Sequence, residues 1–136
     1  MLTPKRTKHR KMHKGRGLKR NFESRGVDLE YGAYGICSID NKRITSRQIE
    51  SARRVLLRFI RKGGKLWIRV FPDKPVTKKP AEVPMGGGKG DVDHYVFQVR
   101  PGRIIFELDG IPESDAMKAL KQISYKLPFR TKIIKR

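Results

Sequence analysis

The pattern of apolar positions after residue 26 changes between a period of two and a period of 3.6. Alternation over Val27–Ile39, Lys65–Phe71 and Phe129–Ile134 is typical of strands. Two further strands are predicted at His94–Val99 and Arg103–Leu108, and the Arg-Pro-Gly turn between them favours a hairpin. Strands and helices in mixed order predict an α+β fold.

Two segments have the helical period. The first helix is predicted over residues 45–62, because Thr45 and Gln48 have capping-box spacing and a Gly pair follows. The second is predicted to begin at Pro112, where acidic residues suit the positive end of the helix dipole, and to end before Pro128. Each has one apolar face, so both helices are expected to pack on the sheet.

Two regions have neither period. Residues 1–25 contain few hydrophobic residues and are predicted to form an extended basic tail. Prolines followed by glycines over residues 72–93 predict a long irregular loop, of a length that is usually functional or disordered. We therefore expect a single α+β globular domain over residues 26–136, with a mixed or antiparallel sheet and two packed helices.

Charge narrows the class of partner. The net charge is +20 and the pI is near 10.7. Residues 1–25 and residues 42–69 each carry +9, so two segments hold nearly all of the excess. A compact chain with this charge repels itself unless an anionic partner neutralises it, and nucleic acid is the leading candidate.

The tail is spaced to contact phosphates along a groove, and each neutralised phosphate releases a counterion. A tail that only solubilises or targets the protein is the alternative. The predicted RNA-binding residues of the tail are Lys5, Arg6, Lys8, His9, Arg10, Lys11, His13, Lys14 and Arg16.

Arginines gather on the side of the first predicted helix opposite its apolar face. Arginine provides a planar fork for bidentate phosphate contacts. Only Glu50 is placed to pair within the helix, with Arg54 at i,i+4, so the sequence favours RNA contact over a merely solvated face. We call this set the arginine face, and it consists of Arg47, Arg54, Arg58 and Arg61.

No motif indicates catalysis, a cofactor, a metal or a small-molecule substrate. Met85–Gly90 is not a P-loop, because Lys89 is followed by Gly rather than Ser or Thr. His9 and His13 lack a second ligand pair nearby in sequence, and Cys37 is the single cysteine. We therefore expect a binding protein and not an enzyme.

Two other classes stay open on the residues alone. A protein of the membrane surface would need the apolar face of helix 45–62 free to insert, whereas the predicted core uses that face. A free-standing nucleic-acid module or chaperone would have the same charge. The lone cysteine and the lack of an apolar signal region indicate the cytoplasm or an organelle matrix.

Several segments together resemble the bacterial-type large-subunit ribosomal protein sixteen family, nearly end to end. WIRVFPDKP, within the third segment, is the most specific. The segments are MLTPKRTKHRKMHKGR, ITSRQIESARR, KLWIRVFPDKPVTKKP, MGGGKG, PGRIIFELDGIPE and KLPFRTKI.

The resemblance implies an α/β-hammerhead-like sheet with two packed helices. It also implies a structural constituent of the large ribosomal subunit, with large-subunit rRNA, tRNA in the A-site cleft and neighbouring ribosomal proteins as partners, and no membrane. Members help to position aminoacyl-tRNA near the peptidyl transferase region. The expected location is the cytoplasmic ribosome, with an organellar ribosome as the alternative.

Residue by residue, the resemblance implies that residues 1–16 of the tail thread into rRNA. Of the arginine face, Arg47, Arg58 and Arg61 are the predicted rRNA contacts, on the charge argument given above. Arg53 and Arg54 resemble the helix arginines nearest the tRNA. Many members have Arg before the Met-Gly of the loop, hydroxylated in some; Pro84 stands there in this chain, so that modification cannot occur. The loop residues implied to face the peptidyl transferase region are Met85, Gly86, Gly87, Gly88, Lys89 and Gly90.

Overall fold

The computed structural model describes residues 1–15, 21–61 and 63–136. These ranges contain seven strands and two helices. The strands are β1 (Tyr34–Ser38), β2 (Lys42–Thr45), β3 (Lys65–Ile68), β4 (Lys74–Lys78), β5 (Asp91–Val99), β6 (Ile104–Asp109) and β7 (Thr131–Lys135), and the helices are α1 (Ser46–Ile60) and α2 (Glu113–Ser124).

The strands form two antiparallel sheets. Sheet A has the order β3-β6-β1-β7, and sheet B has the order β2-β5-β4. The predicted α+β class and antiparallel pairing are therefore confirmed. The helices pack against each other, and the main core lies among α1, α2, β1 and β6.

The predicted hairpin of β5 and β6 is wrong, because these strands belong to different sheets. The chain changes sheets at the turn between them, where the Gly102 N–H donates to the Ser38 carbonyl at 2.8 Å. Five consecutive residues of β6, Ile104–Leu108, are buried. A strand covered on both faces suits the centre of a sheet, and β6 accordingly pairs with β1 and β3.

The strands differ from the sequence prediction mainly at β1, β2 and β4. The first strand begins at Tyr34 rather than Val27, because the segment before it bonds to a buried side chain described below. Strand β2 was not predicted. Strand β4 lies inside the predicted loop 72–93; it contains Pro75 and is an edge strand, where a missing N–H is tolerated.

The helix predictions hold closely in the described chain. Thr45 is the N-cap of α1; its Oγ1 accepts from the Gln48 N–H at 3.3 Å, and Gln48 Oε1 accepts from the Thr45 N–H at 3.0 Å. Helix α1 ends near Gly64, whose N–H donates to the Ile60 carbonyl; Lys62, the predicted end, lies outside the described residues. Neither described helix is long and apolar enough to cross a membrane.

A buried carboxylate, which also forms an ion pair, joins the segment before β1 to sheet A. Glu107 on β6 is 0% exposed, and its carboxylate accepts the N–H of Tyr31 at 2.8 Å and of Gly32 at 2.7 Å, and pairs with Arg69. Burial raises the pKa of Glu107, but the Gly32 N–H and the Arg69 guanidinium outweigh it, so this pKa is below its usual value. Arg103 donates to the carbonyls of Arg25 and Arg69, so two arginines of this basic chain hold the fold together.

Candidate nucleic-acid interface

The arginine face lines an open groove along α1. Arg47, Arg54 and Arg58 lie in its wall, and Arg61 follows at the C-cap. The groove also contains Lys126, which follows α2 and reaches the groove because the two helices pack together. Sequence reasoning missed Lys126, since packing of α2 on α1 cannot be read from local spacing.

Glu50 divides the helix arginines into two groups. The Arg53 guanidinium donates to it at 2.6 and 2.8 Å, and Arg54 donates at 3.3 Å. The hydrogen bond from Arg53 is the main cause that lowers the pKa of Glu50 to about 2. The expected pair with Arg54 is confirmed, but Arg53 makes the closer contact, which the sequence analysis did not anticipate.

Exposure follows the same division. The Arg53 side chain is 36% exposed and the Arg54 side chain is 74% exposed. Arg47, Arg58 and Arg61 form no ion pair with any described residue and are exposed. No ion pair within the described chain neutralises any of the three, although Arg47 lies close enough to Asp93 for the two charges to interact.

The first described part of the tail, residues 1–15, contains no helix or strand and lies against the domain. Leu2 packs on the main core. Arg10 and Lys11 approach Asp91 at 3.5 and 3.6 Å, in a partly exposed cluster. The remaining predicted contacts Lys5, Arg6, Lys8, His9, His13 and Lys14 are exposed, and Arg16 lies outside the described residues.

Side chains of sheet B and of the loop before β5 hold the backbone of the tail. The Lys14 carbonyl accepts from Arg43 on β2 and from Lys74 on β4, the latter at 3.4 Å. Lys89 donates to the Met12 carbonyl, and Lys11 donates to the Lys89 carbonyl at 3.1 Å. Arg43 and Lys74 were missed in the sequence analysis because β2 and β4 were not predicted as strands.

Residues 79–90, which we call the glycine loop, are organised by a lysine at their own base. Lys79 donates to three successive carbonyls, those of Pro84, Met85 and Gly86, at 3.4, 3.3 and 2.8 Å. Gly87 and Gly88 have φ of 80° and 105°, backbone angles that residues other than Gly rarely adopt. The loop tip therefore presents backbone and the Met85 side chain, which is 97% exposed.

Two groups suited to other chemistry, Cys37 and His94, are engaged in the fold, and His94 lies beside Arg47 of the arginine face. Cys37 is buried in β1, and burial raises the pKa of its thiol. His94 is hydrogen-bonded to Asp93 at 2.7 Å. No group of three His, Cys, Asp or Glu side chains in the described ranges is placed to hold a metal ion. The site that the geometry offers is an extended cationic surface of helix face, tail and loop.

The chain is similar to known proteins along its whole length. A family profile described as "Ribosomal protein L16p/L10e" matches residues 4–134. A protein of Psychrobacter cryohalolentis named "Large ribosomal subunit protein uL16" is 54% identical over 100% of this chain and 98% of its own length. Proteins of the same name from Bartonella henselae and Rhodospirillum rubrum are 53% and 52% identical over 100% of this chain and 98% and 97% of theirs.

Proposed function

Because the chain belongs to the L16p/L10e family of ribosomal proteins, we propose that it is a structural constituent of the large ribosomal subunit that binds its rRNA. The observation that carries the rRNA contact is the set of exposed cations without acidic partners, on the tail and on the arginine face. Phosphate contacts need such cations, since each one displaces a condensed counterion. The apolar face of α1 is buried in the core, which leaves it unavailable for a membrane surface.

The same reasoning gives the location and the other partners. The relatives named above are bacterial, and the proposed place is a bacterial-type ribosome in the cytoplasm. Neighbouring ribosomal proteins are the further partners. The proposed role is one of binding, in which the cations act by neutralising and orienting RNA.

Sedimentation of cell extract tests this placement. We expect the protein to travel with the large subunit and to stay there through a wash in high salt. Salt weakens its phosphate contacts, but a protein enclosed by folded rRNA should dissociate slowly. The wash should remove peripheral basic proteins, which provide the internal control. Migration with free RNA or with membranes would contradict the proposal.

We further propose that the part of α1 around Arg53 and Arg54, together with Met85–Gly90, faces the aminoacyl-tRNA in the A-site cleft. The groove is open to solvent, and Arg54 projects into it with most of its side chain exposed. Glu50 holds Arg53 in place beside it. The glycine loop offers a backbone with little side-chain bulk, which can approach a polyanion closely.

Two single substitutions on α1 separate the tRNA contact from the rRNA contact. Arg54→Gln is expected to weaken A-site tRNA binding by about tenfold to 150-fold, the range for one hydrogen bond to a charged group (about 1.5–3 kcal/mol), and to leave incorporation into the subunit unchanged. Arg58→Gln, one turn along the same face, serves as the matched control and should affect incorporation instead. Filter binding of aminoacyl-tRNA to subunits measures the tRNA contact, and the protein content of purified subunits measures incorporation. If the two variants lost tRNA binding and incorporation to the same extent, the separate roles of Arg54 and Arg58 would be contradicted.

A further inference from the structure

A small cavity lies between the tail and the outer face of sheet B. Its volume is about 60 Å³, and we call it the tail cavity. The register of β2, β5 and β4 places Arg43, Val96 and Lys74 on one face of sheet B. Val96 is 2% exposed yet lies outside the main core cluster, as expected for a residue on the face turned away from that core. The lining consists of Met12, Lys14, Arg43, Lys74, Pro75, Val76, Thr77 and Lys89.

The charges around the tail cavity are of one sign. Half of its lining residues are Lys or Arg, and none of those in the described chain is acidic. Burial and the positive charge of Arg43 both lower the pKa of Lys74, which is the expected response of a cation held beside another cation. Asp91, an acid that contacts the tail, is engaged by Arg10 and Lys11.

The donors that point to this place are incompletely used. Arg43 and Lys74 both donate to a single neutral acceptor, the Lys14 carbonyl. The Nε of Arg43 is buried and has no hydrogen-bond partner among the residues that the structure describes. A buried guanidinium N–H without an acceptor is costly, and such groups usually mark a missing partner.

We propose that the tail cavity binds one phosphate group of the rRNA backbone, held by Arg43 and Lys74, and that this phosphate fixes the tail to sheet B. The inference rests on the proposed rRNA-binding function and adds residues outside the tail and the arginine face to it. A phosphate oxygen is a charged acceptor and forms stronger hydrogen bonds with Arg and Lys than a backbone carbonyl does. It would also offset the repulsion among Lys14, Arg43, Lys74 and Lys89.

Fixing the tail also fixes the glycine loop, because Lys89 is hydrogen-bonded in both directions to tail residues Lys11 and Met12. One phosphate in the tail cavity thus orders two segments that the sequence presents as independent. The arrangement makes Arg43 and Lys74 the residues that join tail, loop and sheet B in the rRNA-bound state.

The first test uses inorganic phosphate as the probe on the full chain. NMR spectra are recorded during titration with phosphate at constant ionic strength, with chloride as the compensating anion. Saturable shifts of the Lys14, Arg43 and Val76 amides are expected in the wild type and are expected to be lost in Arg43→Gln with Lys74→Gln. The control double variant, Lys118→Gln with Lys121→Gln, removes the same charge from exposed sites of α2 and should shift as the wild type does.

The second test measures binding to large-subunit rRNA as a function of salt. For Arg43→Gln with Lys74→Gln, the slope of log K against log salt should fall by about one unit, as for loss of one phosphate contact, and affinity should fall about tenfold. The control double variant should change affinity by less than about twofold. Hydrogen exchange should show that rRNA protects residues 10–15 in the wild type and not in Arg43→Gln with Lys74→Gln.

The outcomes separate this inference from the function on which it rests. Wild-type binding to rRNA with equal behaviour of the two double variants would overturn the tail cavity as a phosphate site and leave the ribosomal function standing. Phosphate shifts with no effect of the substitutions on rRNA binding would mean that the cavity takes a free anion, which overturns the rRNA assignment. Absence of rRNA binding by the wild type would remove the proposed function itself.

Discussion

Replacing Glu107 with alanine is expected to lower the free energy of unfolding by about 3–5 kcal/mol, the range for removing one partner of a buried ion pair. Arg69, 12% exposed at its side chain, would keep its charge and lose its buried carboxylate partner, retaining only the longer contact to the exposed Glu30 at 3.6 Å among the described residues. The N–H groups of Tyr31 and Gly32 would also lose their acceptor. Since domains of this size are stable by only 5–15 kcal/mol, we expect a large shift in the urea midpoint followed by circular dichroism.

A second Glu→Ala substitution provides the control for this prediction. Glu113 pairs with Lys135 at 3.2 Å, and both side chains are more than half exposed. Glu113→Ala should therefore cost less than about 1 kcal/mol. Glu107→Gln keeps one acceptor oxygen and should fall between the two alanine variants. If Glu107→Ala and Glu113→Ala lowered the free energy of unfolding equally, the buried pair would not anchor the segment before β1.

Deleting residues 1–16 is expected to leave a folded domain whose affinity for large-subunit rRNA is about 10³-fold lower near physiological salt. Six cations are lost from the described part of the tail alone. At about 0.7–0.9 per contact, the slope of log K against log salt should fall by roughly 4 to 5 units. Filter binding to rRNA at salt concentrations from about 50 to about 200 mM measures both the affinity and the slope.

The folded state of the truncated protein is a separate part of the same prediction. The tail contributes Leu2 to the edge of the core, so its loss should cost about 1–2 kcal/mol and preserve a cooperative urea transition. A full-length variant with Lys5, Arg6 and Lys8 changed to Gln keeps Leu2. It removes three of the six described tail cations, so its slope should fall by about half as much as that of the truncated protein. Unfolding of the truncated domain, or an unchanged slope in both proteins, would contradict the role given to the tail.

The sequence by itself determined the features that depend on near neighbours along the chain. The start of α1 follows from the spacing of Thr45 and Gln48, whose side chains bond each other's backbone N–H within one turn. Its apolar and arginine faces follow from the helical period. The concentration of positive charge in two segments and the full-length family resemblance also needed no coordinates.

Only the tertiary structure decided which strands pair and what each cation does. A Pro-Gly turn indicated a hairpin, but β6 pairs with β1 and β3, because the backbone groups of a buried strand need hydrogen-bond partners along both edges. Arg69 and Arg103 have the same chemistry as Arg58, yet Arg69 binds the buried Glu107, Arg103 binds two backbone carbonyls, and Arg58 faces solvent. Strand pairing and the burial of a charge depend on residues distant in sequence, whereas capping and periodicity depend on residues three or four positions apart, and only the latter can be read from the chain.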